Sequence, residues 1–186
     1  MMRRTSRGPV VCLALLLTAI LGLGYDSSAQ AQTAANKPYL VFSTYLGGKT
    51  AVSGGTPRTF AQNAACDAQG NIYVTGGTEV TDLPVKNAFQ PSPALNSALS
   101  AFVAKYDPGG VLLWCTYLGG DAHNMGIGVA AMPDGGVAVS GLTTSGAHGP
   151  FPTKNGFQPH HVGNSDYFVT VFDKDGNLRY STLLGG

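Results

Sequence analysis

A six-residue phrase occurs three times in this chain of 186 residues: Ser43-Thr44-Tyr45-Leu46-Gly47-Gly48, Cys115-Thr116-Tyr117-Leu118-Gly119-Gly120 and Ser181-Thr182-Leu183-Leu184-Gly185-Gly186. The copies begin 72 and then 66 residues apart. Near-constant spacing marks an internal repeat. A repeat constrains architecture more than any single residue, because each unit must bury its apolar faces against its neighbours.

Between the copies, no segment shows a 3.6-residue apolar period. Short β-rich runs bounded by Gly, Asp, Asn and Pro stand there instead, which is the signature of strands. Asn71 to Gly76 corresponds to Gly136 to Gly141, and Ala101 to Tyr106 corresponds to Tyr167 to Phe172. Val111 to Trp114 leads into the second phrase, and Leu178 to Tyr180 into the third. A weaker run precedes each unit's first turn, at Gln62 to Cys66 and Ile127 to Ala131.

The joints are tight. Asp67-Ala68-Gln69-Gly70-Asn71, Asp107-Pro108-Gly109-Gly110, Pro133-Asp134-Gly135-Gly136 and Asp173-Lys174-Asp175-Gly176-Asn177 each connect two runs. Gly and Asn tolerate the positive φ of hairpin turns, and Asp bonds the turn's own backbone. Each unit therefore reads as two hairpins joined by a longer loop, with Leu83-Pro84-Val85 and Phe89 in one copy and Phe151-Pro152-Thr153 and Phe157 in the other. The run Tyr167 to Phe172 is almost continuously apolar, as expected of a strand covered on both faces. Four-stranded antiparallel blades stacked around an axis meet that demand, so the expected fold is all-β, of β-propeller type. Two repeats and a leading strand would make a partial propeller. A β-sandwich is the alternative, but it does not require one phrase at fixed spacing.

The combination resembles the SBBP repeat, a bacterial β-propeller repeat. It comprises a turn, a strand ending in Gly, Phe-Pro-Thr, Gly-Phe-Gln, Phe-Val followed by Asp, and Ser-Thr-x-Leu-Gly-Gly. The resemblance covers Tyr39 to Gly186 and implies a secreted or cell-surface propeller module with no shared catalytic residues. The chain departs from the pattern where Met132 replaces the Asp kept at Asp67, and where Gly136 replaces the Asn kept at Asn71. Cys66 and Cys115 stand where the repeat prefers Val and Ser.

The N-terminus reads as an export leader. Arg3, Arg4 and Arg7 precede an apolar stretch from Val10 to Leu23, which is shorter than a bilayer span, and Ala29-Gln30-Ala31 offers a cleavage site after Ala31. The expected organisation is a signal peptide at 1–31, a short linker at 32–38 and the repeats at 39–186. Within the repeats, unit one covers about 43–114, unit two about 115–180, and the closing phrase 181–186. Cleavage leaves 8 basic against 9 acidic side chains and no basic cluster, so neither nucleic acid nor a membrane surface is an expected partner. Cys66 and Cys115 remain, either as a disulfide in an oxidising compartment or as small buried apolar residues.

Candidate chemistry is thin. Asp173 to Asn177 starts like a calcium loop but runs straight into a strand, so a hairpin turn is expected. His160-His161, with His148, lack the Cys or carboxylate companions of a zinc site. Asp121, His123 and Ser43 supply triad residue types with no nucleophile elbow. Glu79 is the one Glu, which leaves no obvious carboxylate pair for glycoside hydrolysis. Tyr45, Tyr73, Trp114, Tyr117 and Tyr180 are expected in the core between units. Phe89, Phe151 and Phe157 are better placed for exposure, although loop packing is their first expectation.

No catalytic, metal or cofactor residue is assigned, no cofactor is expected, and ligand-binding positions stay unassigned. Two units fall short of the four to eight blades of most propellers. The expected function is therefore an exported, non-catalytic interaction or scaffold module of the bacterial cell envelope, part of a longer repeat protein, with a protein or glycan partner at the cell surface. Alternatives are a glycan-binding propeller that completes its ring by self-association, and an extracellular enzyme whose site lies on other blades.

Overall fold

The computed structural model describes residues 40–52, 55–95, 97–146 and 149–186, so the expected leader and linker lie outside the described residues. Eight strands form two four-stranded antiparallel sheets, with no helix among the described residues. Sheet 1 runs β1 (Thr59–Cys66), β2 (Ile72–Thr78), β3 (Ser100–Tyr106) and β4 (Leu112–Leu118) in that order. Sheet 2 repeats the meander with β5 (Asn124–Ala131), β6 (Val137–Thr143), β7 (Asp166–Phe172) and β8 (Leu178–Leu184). The second and third copies of the phrase form the ends of β4 and β8, the closing strands.

The expected turns form. Gly70, Gly110, Gly135 and Gly176 take φ of 83°, 86°, 81° and 89°, a region that only Gly enters at no steric cost. Asp67 Oδ1 accepts the Gln69 and Asn71 backbone N–H groups at 3.0 and 2.9 Å, and Asp107 and Asp173 do the same in their own turns. At the β5–β6 turn Met132 O accepts the Gly135 N–H, but its side chain cannot play the part of Asp67, and Asp134 Oδ1 takes the Gly136 N–H alone. Both long loops bend at an Asn with positive φ, Asn87 and Asn155, and then run along the outer edge of their sheet. Lys86 pairs with Cys115 on β4, and Lys154 pairs with Ser181 on β8. Gln90 O and Gln158 O accept Tyr117 N–H and Leu183 N–H. These bonds satisfy edge groups that would otherwise invite pairing with another chain.

The leading strand is not formed. Residues 40–48 carry the same phrase as β4 and β8 but have no ladder partner, and Tyr45 is 101% exposed where its counterpart Tyr117 is 0% exposed. A strand is defined by its neighbour, and among the described residues no β3-type strand lies beside this copy. The disulfide between Cys66 and Cys115 is not formed either, because Cys115 is a free, buried thiol.

Each sheet has two unlike faces. On sheet 1 the seam face carries Tyr73, Thr75, Ala101, Val103, Lys105, Trp114 and Leu118, and the back face carries Phe102, Ala104, Tyr106, Cys115 and Tyr117. The seam face packs on the back face of sheet 2, burying Val137, Val139, Phe168, Phe172, Leu178 and Leu183 in one cluster with Tyr73, Val103 and Trp114. Packing is therefore head-to-tail: the seam face of one unit meets the back face of the next. The seam is a wedge. At β5 a Cβ on Gly126 would collide with Thr75 of β2, whereas at the outer side Trp114 and Phe172 fill the gap with ring centroids 5.9 Å apart.

Candidate functional site

The residues singled out in the sequence do not converge. Asp173 spends its oxygens on Asp175 N–H, Asn177 N–H and the Asn177 side-chain amide, so its loop is a hairpin turn. His160 is exposed and His161 half-buried on the loop before β7, and His148 lies outside the described residues. Among the described residues no three His, Cys, Asp or Glu side chains come together. Ser43 follows Phe42, which lies against Gly110 in the β3–β4 turn. Asp121 accepts Gly146 N–H at the other end of β4, and His123 bridges Leu99 there. A seven-residue strand spans about 20 Å, so Ser43 cannot work with Asp121 and His123.

Glu79 pairs with Arg58. Arg58 Nε donates to Glu79 Oε2 at 2.8 Å, and a second guanidinium nitrogen donates to Oε1. The pair raises the guanidinium pKa and holds the carboxyl below its ordinary range. It borders an open cleft of about 560 Å³ with Ala51, Val52, Thr56 and Ala98. Because each charge already serves the other, the cleft offers a substrate no free acid or base from this pair.

The aromatics divide. Tyr73, Trp114 and Tyr117 are core, as expected, and Tyr180 is half-buried. Phe151 is 2% exposed and stacks on Phe168 at 4.4 Å, a loop staple. Phe89 reaches from the sheet 1 loop across the seam to meet Phe172 edge-on at 6.0 Å. Its repeat counterpart Phe157 has no such partner and is 87% exposed.

The most distinctive surface is the seam face of sheet 2. Strand alternation and the ladder register put Leu142, Tyr167, Val169, Val171, Tyr180 and Leu184 on it. Tyr167 is 61% and Leu184 46% exposed, and the other four are half-buried. Apolar character on both sides of a strand predicts coverage of both faces. That holds for β3, buried along its whole length, but not for β7, where only Asp166, Phe168, Thr170 and Phe172 are buried. Sequence alternation cannot distinguish a covered apolar face from one that lacks its cover. On the opposite, covered face, at the start of β7, Asp166 is fully buried, with Oδ1 unpartnered beneath Gly185. Val162 N–H and the Gln158 amide engage only its other oxygen.

In sheet 1 the same face shows what such a surface holds. Tyr73 hydroxyl donates to Gly135 O at 2.7 Å, Lys105 Nζ donates to Gly135 O at 2.9 Å, and Trp114 Nε1 donates to Lys174 O at 3.2 Å. All three bonds end on turn carbonyls of the next unit. No family model and no curated protein matches the chain.

Proposed function

We propose that the chain is an exported repeat module of β-propeller type, resembling SBBP repeats, which works as a non-catalytic interaction scaffold of the bacterial cell envelope. The observation that carries the reading is the head-to-tail seam. Two units of matching sequence pack seam face on back face through a wedge that narrows at β5, and the second unit presents the same seam face outward. A wedge repeated in one sense turns successive sheets about an axis, which is propeller geometry. A β-sandwich brings two inner faces together and leaves no seam face to repeat.

The test is a tandem chain in which residues 121–186 are repeated after Gly186. If units stack in series, the added unit folds. Far-UV circular dichroism per residue is then retained and Tm rises, because the open face gains a partner. An added unit that stays unfolded and leaves Tm unchanged would sink the reading. Export is tested separately by N-terminal sequencing of the secreted chain, with Gln32 as the expected first residue.

A further inference from the structure

We propose that the partner of the open sheet 2 face is sheet 1 of a second copy of this chain, and that residues 42–48 are a displaceable plug occupying the track into which the second copy docks. The inference rests on the repeat reading above and names what that repeat binds.

Within the chain, residues Trp114 to Gly120 lie along sheet 2 by three contacts. Trp114 covers the turn glycine Gly176, where an added Cβ would be 3.0 Å from the ring. Gly119 sits on Asn124, the first residue of β5, and Gly120 sits on the Gly149-Pro150 backbone of the long loop. The counterparts of these residues, 72 positions earlier, make the same three contacts on sheet 1. Phe42 covers Gly110, Gly47 sits on Thr59 at the start of β1, and Gly48 sits on Asp82 of the long loop. Leu46 packs on the back-face cluster of Phe102, Tyr106 and Tyr117. Residues 42–48 thus lie where the closing strand of a preceding unit belongs, with no accompanying sheet among the described residues.

β8 carries the same phrase, and it comes with a complete sheet. On the second copy its Tyr180 would replace Phe42 over Gly110, and the open face would cover Ile72, Val74 and Leu112, which are half-buried. Phe157 would meet Tyr106 as Phe89 meets Phe172, which accounts for a large apolar side chain 87% exposed on a capped edge. A face-to-back contact of this kind does not close on itself, so association continues into a ring or a string.

The experiment is sedimentation velocity on the full chain across a concentration series, with three variants. Phe157→Asp changes an exposed residue and should abolish association. Phe42→Ala combined with Leu46→Ala loosens the plug and should shift association to at least ten-fold lower concentration. Ile72→Glu blocks the receiving face. It should be monomeric alone, and mixed with Phe157→Asp it should give a one-to-one dimer and nothing larger. If Ile72→Glu does not fold, Leu112→Gln takes its place. A wild-type chain that stays monomeric even with the plug loosened, or a Phe157→Asp chain that associates like wild type, would overturn the proposal. If the tandem chain still folds its added unit, the repeat reading stands without it. If the tandem chain fails, that reading falls on its own evidence.

Discussion

A methyl group on Gly126 would land 3.1 Å from the Thr75 Cβ and closer still to its hydroxyl, which is already bonded to Phe102 O. Neither atom can retreat, because Thr75 is fully buried between the sheets. Gly126→Ala is therefore expected to cost about 1–3 kcal/mol through overpacking. Gly55→Ala, with nothing within 4 Å, should cost nothing measurable. Urea unfolding of the two variants checks the contrast. The turn carboxylates are a second residue-scale case. Burial pushes Asp67 and Asp173 up, but hydrogen bonds from Asn71 and Asn177 and from turn N–H groups hold both below the ordinary range. A carboxyl depressed in the folded state binds fewer protons there than in the unfolded state. Its stabilisation is complete above the unfolded pKa and is lost as pH falls below about 4. Asp173→Asn keeps an acceptor in the turn and removes the titration, so chemical denaturation between pH 5 and 2.5 should show a shallower loss than wild type.

The strands differ in how plainly they can be read. β2, β3, β4, β6, β7 and β8 follow from β-rich runs between Asp-Gly turns, and the structure places them there. β1 and β5 read as short runs beginning at Gln62 and Ile127, yet they start at Thr59 and Asn124. The register shifts lie between Ala61 and Asn63 and between Gly126 and Gly128, so the extra residues are Gln62 and Ile127 themselves. A bulge inserts one residue and reverses the in-out alternation, which hides the strand before it. The first phrase copy fails for the opposite reason: its residues are right, and among the described residues no neighbouring strand stands beside it. The open face was hidden because an apolar side chain has the same identity whether or not a sheet covers it. β4 gives an element-scale prediction. Cys115 lies under the Lys86 cap, and burial pushes its thiol up to about 12. The thiolate is the reactive form, so the folded strand should resist a maleimide at pH 7.5. Labelling of the Cys115 peptide, followed by mass spectrometry, should track global unfolding in urea. Labelling well below the unfolding midpoint would show that β4 and its capping loop open by themselves.

At the scale of the molecule, the two sheets share one continuous apolar cluster, from Tyr73 and Val103 through Trp114 to Phe172 and Leu183. Polar bonds from Tyr73, Lys105 and Trp114 close its turn end. Neither sheet buries the face it presents to the seam without the other, so they should unfold together as a two-state system. Trp114, the only Trp, is 2% exposed on the seam, and its fluorescence therefore reports sheet separation directly. Far-UV circular dichroism reports the strands of both sheets at once. The two signals should give one midpoint in urea. Phe172→Ala removes the ring that fills the wide side of the wedge, between Trp114 and Phe89, and should lower stability by about 3–5 kcal/mol while keeping the two midpoints coincident. If the fluorescence midpoint of this variant falls below the dichroism midpoint, the sheets are separable folding units joined by a weak seam. In that case the stacking energy proposed for further units would be too small to hold them. Coincident midpoints would show that a seam of this kind binds one unit to the next as firmly as each unit holds itself together.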